Sequence, residues 1–464
     1  MTTPEGENGW LPDLIYTSGE FRSGLAMFAD DAGRITRFSS HPADLSKALR
    51  LHRRAILPGL INGHSHAFQR VLRGRTEHRT KHRTGAERDS FWTWREDMYH
   101  AANNLSPEGL YHASRMAFLE MLLSGITTVG EFHYVHHAAD GAPYADRNEL
   151  AWQVLRAARD VGLRIALLRA AYTRSGWKKP AEAGQARFLT PRVEDFIADT
   201  QGLRAAVARP EYAGSVWVGV APHSLRAVTL DYLRETVAYA RAQQMPVHMH
   251  VSEQPADVEA CLGEYKMRPV ELLDRNGLLD SRFTAVHAIH VTREEIFALA
   301  RSGATVCACP TTERNLGDGT VPADQFLSAG VRVSLGSDSN VQINLLEDAR
   351  ELEYHLRILK LERAVLAAKH LFACATEAGA RSLGAPGGTL EAGRPADFFT
   401  VALDDPSIAG ADPETLLSHI VFSAERTAVR DVAVGGKFVI RGGRHPQADQ
   451  IVQEFARVQQ ELWS

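Results

Sequence analysis

The stretch Ala55-Ile-Leu-Pro-Gly-Leu-Ile-Asn-Gly-His64-Ser-His66 decides how the chain reads. An apolar run enters Pro58-Gly59 and Asn62-Gly63, and two histidines follow at i and i+2. Side chains two apart on a strand share a face, roughly 7 Å apart at their bases. Two imidazoles so placed can converge on one ion, about 2.0–2.1 Å from each ring nitrogen. A lone His-x-His is also common in surface turns, so the weight rests on where other polar groups fall.

Downstream, short apolar runs recur. Counting Ala55–Ile61 as the first, the others are Ile126–Phe132, Leu163–Ala170, Val216–Ala221, Pro246–Val251, Phe283–Ile289, Ala304–Ala308 and Val331–Leu335. Segments of helical period lie between them, among them Pro107–Leu123, Glu149–Val161, Leu230–Gln244 and Thr292–Ser302. This alternation predicts a parallel sheet with crossover helices. Eight units predict a closed barrel with its chemistry at the C-terminal strand ends. Residues 362–384 read as helical and close the barrel.

The chain ends read differently. Leu14-Ile-Tyr, Gly24–Ala29 and Arg34–Phe38 are short strands split by Ser-Gly and Asp-Asp-Ala-Gly turns. After Gly387-Gly-Thr-Leu-Glu-Ala-Gly-Arg-Pro-Ala-Asp397 the pattern returns to strand, with a hairpin around Gly435-Gly436 and a polar helix from Asp449 to Trp463. Neither end makes a sheet with a good core alone, so the two are expected to pair. The expected fold is therefore α/β, a distorted (β/α)8 TIM barrel over 58–384 with a small β-sandwich domain built from 1–57 plus 385–464.

Composition excludes some classes. The net charge of -4 over 464 residues favours neither nucleic acid nor an anionic membrane as partner. The start has no basic-then-apolar signal pattern and no apolar run reaches a membrane span. Four cysteines in such a chain imply a reducing compartment, with the cytoplasm expected. The basic insert Arg73–Asp89 reads as a solvated loop.

Polar groups sit at the ends of the proposed strands. Strand one ends in His64 and His66, and strand five in His250 followed by Glu253. Strand six ends in His287, and strand eight in Asp338 within Leu335-Gly-Ser-Asp-Ser-Asn. Twenty scattered histidines would not favour such ends. His64, His66, His250 and Asp338 suit one divalent, borderline ion, zinc first, with a position left for water. His248 lies one layer deeper and reads as a packed neighbour, His290 as a surface histidine, and Cys307-Ala-Cys309 as small core packing.

Pro58-Gly-Leu-Ile-Asn-Gly-His-Ser-His66, His250-Val-Ser-Glu253, His287-Ala, Gly336-Ser-Asp338 and Gly393-Arg-Pro-Ala-Asp397 resemble the amidohydrolase superfamily, in its single-metal deaminase and chlorohydrolase branch. His66-Ala-Phe-Gln-Arg, Asp89-Ser-Phe-Trp-Thr-Trp-Arg-Glu, Gly130-Glu-Phe-His-Tyr-Val-His-His and Ala221-Pro-His-Ser-Leu-Arg resemble, more narrowly, its N-formimino-L-glutamate deiminases. The resemblance covers nearly the whole chain in order. It implies the barrel and the small β-domain, a homodimer, and hydrolysis of a small dianionic substrate to N-formyl-L-glutamate and ammonia in histidine degradation. Asp338 then accepts a proton from water, His287 holds that water, and Glu253 carries a proton to the leaving nitrogen. By the same resemblance Arg95 and Arg226 meet the two carboxylates, Tyr134 and His223 add hydrogen bonds, and Gln69 contacts the formimino end. The basic insert departs from the family by its length and charge. The competing functions are a nucleobase or heterocycle deaminase of the same branch, and a non-catalytic barrel.

Overall fold

The computed structural model describes residues 6–77 and 90–464. Residues 1–5 and most of the basic insert expected to be a solvated loop lie outside the described residues. The part of the insert that is described is not wholly solvated, because Arg73 donates to Glu120 Oε2 (2.9 Å) and to the Asn340 carbonyl (2.8 Å).

Strands β1 (Asn8–Thr17), β2 (Glu20–Arg22), β3 (Ala26–Ala29), β4 (Ile35–Ser39) and β5 (Leu49–Pro58) come first in the chain. The barrel strands are β6 (Leu60–Ser65), β7 (Ile126–His133), β8 (Arg164–Ala171), β9 (Val216–Pro222), β10 (Val247–Val251), β11 (Phe283–His287), β12 (Thr305–Ala308) and β13 (Arg332–Leu335). Strands β14 (Phe398–Ala402), β15 (Val429–Val434) and β16 (Lys437–Ile440) complete the set.

The parallel strands β6 to β13 neighbour one another in chain order. They are buried nearly end to end, as strands covered on both faces should be. The chain ends meet in a mixed sheet ordered β16-β15-β14-β5-β1-β3-β4, with β2 on β1. Trp10, Ile15, Met27, Ile56, Phe398 and Ala433 lie in that sheet's own core.

The run Ala55–Ile61, expected as the first barrel strand, is divided. Ala55–Pro58 belongs to β5 and pairs with β14, and the barrel strand begins at Leu60. Gly59 makes the crossing, and a Cβ there would stand 2.2 Å from the Thr127 hydroxyl oxygen. The C-terminal helix Ala448–Trp463 is not polar all round. Its Ile451, Phe455, Val458 and Leu462 are buried, and Glu454 bonds Arg115 on helix Pro107–Leu123 (3.0 Å). Residues 362–384 hold two short helices, Ala368–Cys374 and Glu377–Leu383. The second closes the N-terminal end of the barrel, where Ser382 O takes the His248 ring N–H at 2.9 Å. No helix among the described residues is long and apolar enough to cross a membrane.

The ring closes between β6 and β13 through the two motifs that carry the candidate ligands. His66 N–H donates to Asp338 O (2.9 Å) and Asp338 N–H to His64 O (3.0 Å). Asn62 bonds the Ser337 hydroxyl (2.7 Å), and Asn340 bonds His66 O (2.9 Å). A Cβ on Gly336 would meet the His64 Cβ at 2.8 Å, so this approach needs glycine.

Helix Leu345–Lys360 buries an acid beside this seam. Asp348 Oδ1 accepts from Thr311 N–H and Oγ1–H, while Oδ2 has no partner. Burial pushes its carboxyl up from 3.8 to about 8. Between those two values the folded chain keeps a proton that the unfolded chain has lost. Stability from this group therefore falls as pH rises through the window, by at most about 1.4 kcal/mol per pH unit. Asp348→Asn keeps the acceptor and removes the titration. Its melting temperature should decline less steeply than the parent's between about pH 5 and pH 8; parallel Tm–pH curves would contradict the assignment.

Candidate active site

The C-terminal ends of β6 and β10 and the turn after β13 bring His64, His66, His250 and Asp338 together. Their donor atoms lie within 4.8 Å of one another, and all four residues are buried. His250 Nε2 is 3.2 Å from His64 Nε2. Asp338 Oδ1 is 3.4 Å from His64 Nε2 and 3.5 Å from His66 Nε2.

Hydrogen bonding fixes two of the rings. His66 Nδ1 faces the Phe132 carbonyl at 2.9 Å and His250 Nδ1 faces the His223 carbonyl at 3.1 Å. A carbonyl can only accept, so each Nδ1 holds the proton and each Nε2 presents a lone pair inward. Burial lowers the proton affinity of all three imidazoles, to about 3 for His64. Burial also works against the Asp338 charge, but the facing histidines, His64 first, hold its carboxyl below the usual range. One His64 N–H cannot satisfy three facing acceptors. Three neutral imidazoles and a carboxylate around one point are a donor set that fits a divalent cation.

His287 lies behind this cluster. Its Nδ1 meets Glu313 Oε1 at 3.1 Å, and its Nε2 is 3.6 Å from both Glu253 Oε1 and Asp338 Oδ2. Burial opposes its positive charge, but Glu253, Glu313 and Asp338 together raise its proton affinity well above the usual value. Burial pushes the Glu253 carboxyl up from 4.5 to about 7. Backbone strain gathers here: Ser252, His287, Ala288, Asp338 and Asn340 have φ of 52°, 69°, 49°, 44° and 56°. Such conformations cost about 1–3 kcal/mol each and persist where surrounding structure holds them.

Gln69, Arg95, Tyr134, His223 and Arg226 line one cavity with His66, His250, Glu253 and Asp338. Gln69 donates to Tyr134 Oη (2.7 Å), while Gln69 Oε1 and Arg95 Nε are buried without partners. Arg226 reaches Asp257 Oδ1 and Tyr172 Oη, both at 3.3 Å. The Trp92 ring lies beneath both guanidiniums, 4.7 Å from Arg95 and 5.9 Å from Arg226. The structure thus brings every residue singled out as ligand, catalyst or substrate contact to one barrel mouth.

His248 stays a layer deeper on Ser382 O, and His290 is half-buried with Nε2 on Asp318 O (2.9 Å). Cys309 offers a sulfur near His287 and Asp338. Burial raises its thiol well above the usual value, and it packs with Cys307 and Val286 as a small apolar cluster. Sequence reasoning missed Glu313, Trp92, Tyr172 and Asp257. Glu313 had a signal, since Cys309-Pro-Thr-Thr-Glu313 follows strand seven as the other polar groups follow theirs. Phe132 was missed too; it packs against His64, His66 and His250 with centroids 5.2, 5.2 and 4.5 Å away.

The model of the amidohydrolase family matches residues 55–439. A formimidoylglutamate deiminase from Pseudomonas aeruginosa is 40% identical over 416 residues, 88% of this chain and 89% of that one. A 5-methylthioadenosine/S-adenosylhomocysteine deaminase from Natronomonas pharaonis is 30% identical, over 88% of this chain and 87% of its own. An amidohydrolase crystal structure from Brucella melitensis superposes with a TM-score of 0.89 at 34% identity, covering 98% of this chain and all of that one. The matched span begins at the strand before the His-x-His turn and runs through every barrel strand, so this chain belongs to the amidohydrolase family and is a hydrolytic enzyme of it.

Proposed function

We propose that this enzyme hydrolyses N-formimino-L-glutamate to N-formyl-L-glutamate and ammonia, as a zinc-dependent deiminase of histidine degradation, a cytoplasmic homodimer. The observation that carries the substrate is the pair of guanidiniums, Arg95 and Arg226, set over one indole in a cavity that opens on the donor cluster. Two fixed forks suit a ligand with two carboxylates. The 40% relative supports the same substrate.

Bound by His64, His66, His250 and Asp338, a divalent cation supplies positive charge that makes water acidic enough to react near neutral pH. Asp338 takes the proton as water attacks the formimino carbon. His287, kept cationic by its three carboxylates, holds that water and steadies the charge that develops. Glu253 delivers a proton to the terminal nitrogen and recovers one from the hydroxyl of the tetrahedral species, while Asp338 passes on to the same nitrogen the proton it took, so that ammonia leaves and the carbon keeps the oxygen as a formyl group. A carboxyl near about 7 can both give and take a proton at neutral pH. Arg95 and Arg226 hold the carboxylates, Tyr134 and His223 donate to them, and Gln69 faces the formimino group with its unpartnered oxygen.

The aromatic lining, with Phe91, Trp94 and Tyr99, favours a second reading, a deaminase of a flat heterocycle. Ammonia release from N-formimino-L-glutamate against a purine, pyrimidine and triazine panel separates the two. Turnover of the linear substrate at least about 100-fold above every ring supports the proposal; the reverse order overturns it. Metal analysis of purified protein should give one ion per chain.

Trp92 offers a finer test. A cation–π contact is worth about 0.5–2 kcal/mol, so Trp92→Leu should raise KM about tenfold and leave kcat within about twofold. Trp92→Phe should restore most of the loss. An unchanged KM in the leucine variant would show that the indole does not position the arginines.

A further inference from the structure

The opposite, N-terminal end of the barrel carries a second concavity, of ≈ 450 Å³ and open to solvent. Arg204, Trp217, Gln243, Arg282, Arg381 and Ser382 line it. The three arginines come from three separate places: the last turn of helix Val193–Val207, the residue before β11, and the floor helix Glu377–Leu383.

These arginines lack counter-charges. Among the described residues none of the three is in an ion pair, and the Arg381 guanidinium makes no hydrogen bond, though its backbone carbonyl accepts from the Gly384 N–H (3.3 Å). Arg282 donates to the Gln244 carbonyl (2.8 Å) and Arg204 to the Gln243 side chain, both neutral groups. Asp280, two residues before Arg282, accepts from the Arg282 backbone N–H (2.8 Å) and its other oxygen is engaged by the Arg241 guanidinium at 2.6 Å. A fourth cation stands behind: half-buried Arg332, whose Nε is buried without a partner and whose proton affinity is lowered by burial and by the Arg381 charge. Some arginines elsewhere on the surface do find acids, as Arg234 does with Asp231 (2.8 Å) and Arg301 with Asp274 (3.1 Å).

Gathered like charge is unfavourable unless an anion joins it. Guanidinium forks match the oxygens of a tetrahedral oxyanion, and several forks favour one that carries two or more charges. Trp217 fixes its ring by donating Nε1–H to the Leu383 carbonyl (2.8 Å), leaving a flat apolar wall beside the cations. We propose that this concavity is an anion site for a phosphate-class oxyanion of at least two charges, separate from the catalytic mouth.

Titration calorimetry of the metal-loaded enzyme with inorganic phosphate, at constant ionic strength set by chloride, tests it. The expected result is saturable binding of one phosphate per chain, together with a rise in melting temperature. The variant carrying Arg282→Met and Arg381→Met should bind at least about tenfold more weakly and lose the thermal shift, with ammonia release unchanged. Arg204→Ala, whose substitution is on an exposed helix end, should show a smaller loss in the same direction. Absence of saturable binding overturns the proposal. So does equal binding by the double variant, because that places the ion elsewhere; loss of the binding in Arg226→Met instead would assign it to the catalytic cavity.

Discussion

Asp338→Asn should reduce kcat by about 1,000-fold or more, with the fold intact and KM little changed. Loss of a general acid–base group alone costs about 10²–10⁴-fold, and in the proposed mechanism this residue would also complete the donor set for the cation. Its Oδ1 faces His64 and His66 at 3.4 and 3.5 Å, while Oδ2 faces His287 at 3.6 Å. An amide in that place offers no charge to the cation and no base for the water's proton. The barrel seam should survive, because its bonds there run through the Asp338 backbone, to His64 and His66. The positive φ of 44° at this position is also tolerated by asparagine. The measurements are steady-state kinetics, metal content and far-UV circular dichroism on one preparation. Near-parental kcat with metal retained would remove Asp338 from proton transfer; lost metal with a normal spectrum would limit its role to holding the ion.

The sequence was legible where a residue's meaning is local. Helices Pro107–Leu123 and Glu149–Val161 occupy the ranges that periodicity predicted, since each has a boundary signal in the chain: the first starts at Pro107 after the Ser106 cap, and the second stops at Gly162 in the left-handed region at φ 84°. The strand-end positions of His64, His66, His250, His287 and Asp338 were legible for the same reason. A parallel barrel presents one end of every strand to its mouth. What the pattern hid depends on contacts distant in sequence. The division of Ala55–Ile61 between two sheets turns on Gly59 packing against Thr127. Glu313 acquires its place only because helix Pro310–Leu316 starts directly after β12, so that one oxygen accepts both from His287 and from the Cys309 amide (2.9 Å). Strained backbone at Ser252, His287 and Asp338 leaves no trace in composition, because none of these is a glycine. Trp92 read as part of a resembling string, and its position under both arginines is a tertiary fact.

Arg226→Met should raise KM for N-formimino-L-glutamate by about 100-fold while changing kcat far less. Truncating one partner of a buried, hydrogen-bonded charge pair costs about 2–5 kcal/mol, and each 1.4 kcal/mol is about tenfold in affinity. Methionine keeps the volume and the packing against Trp92 but removes the fork. Arg226 is already partly matched, by Asp257 and Tyr172 at 3.3 Å each, so the free enzyme does not hold a bare buried charge. That pairing also complicates the single variant, because it strands Asp257, and a stranded carboxylate would itself repel a dianion. Arg226→Met combined with Asp257→Asn separates the two effects. If Arg226 binds a substrate carboxylate, the double variant keeps most of the KM increase; if its work is only to neutralise Asp257, the double variant returns toward the parent. A substrate analogue with one carboxylate amidated sharpens the test. It should bind the parent weakly and lose little more on Arg226→Met if the missing charge is the one this guanidinium holds. A flat neutral heterocycle would be indifferent to all of these changes, so a KM that stays put across the series would remove the dianion from the cavity and leave the ring deaminase reading in its place.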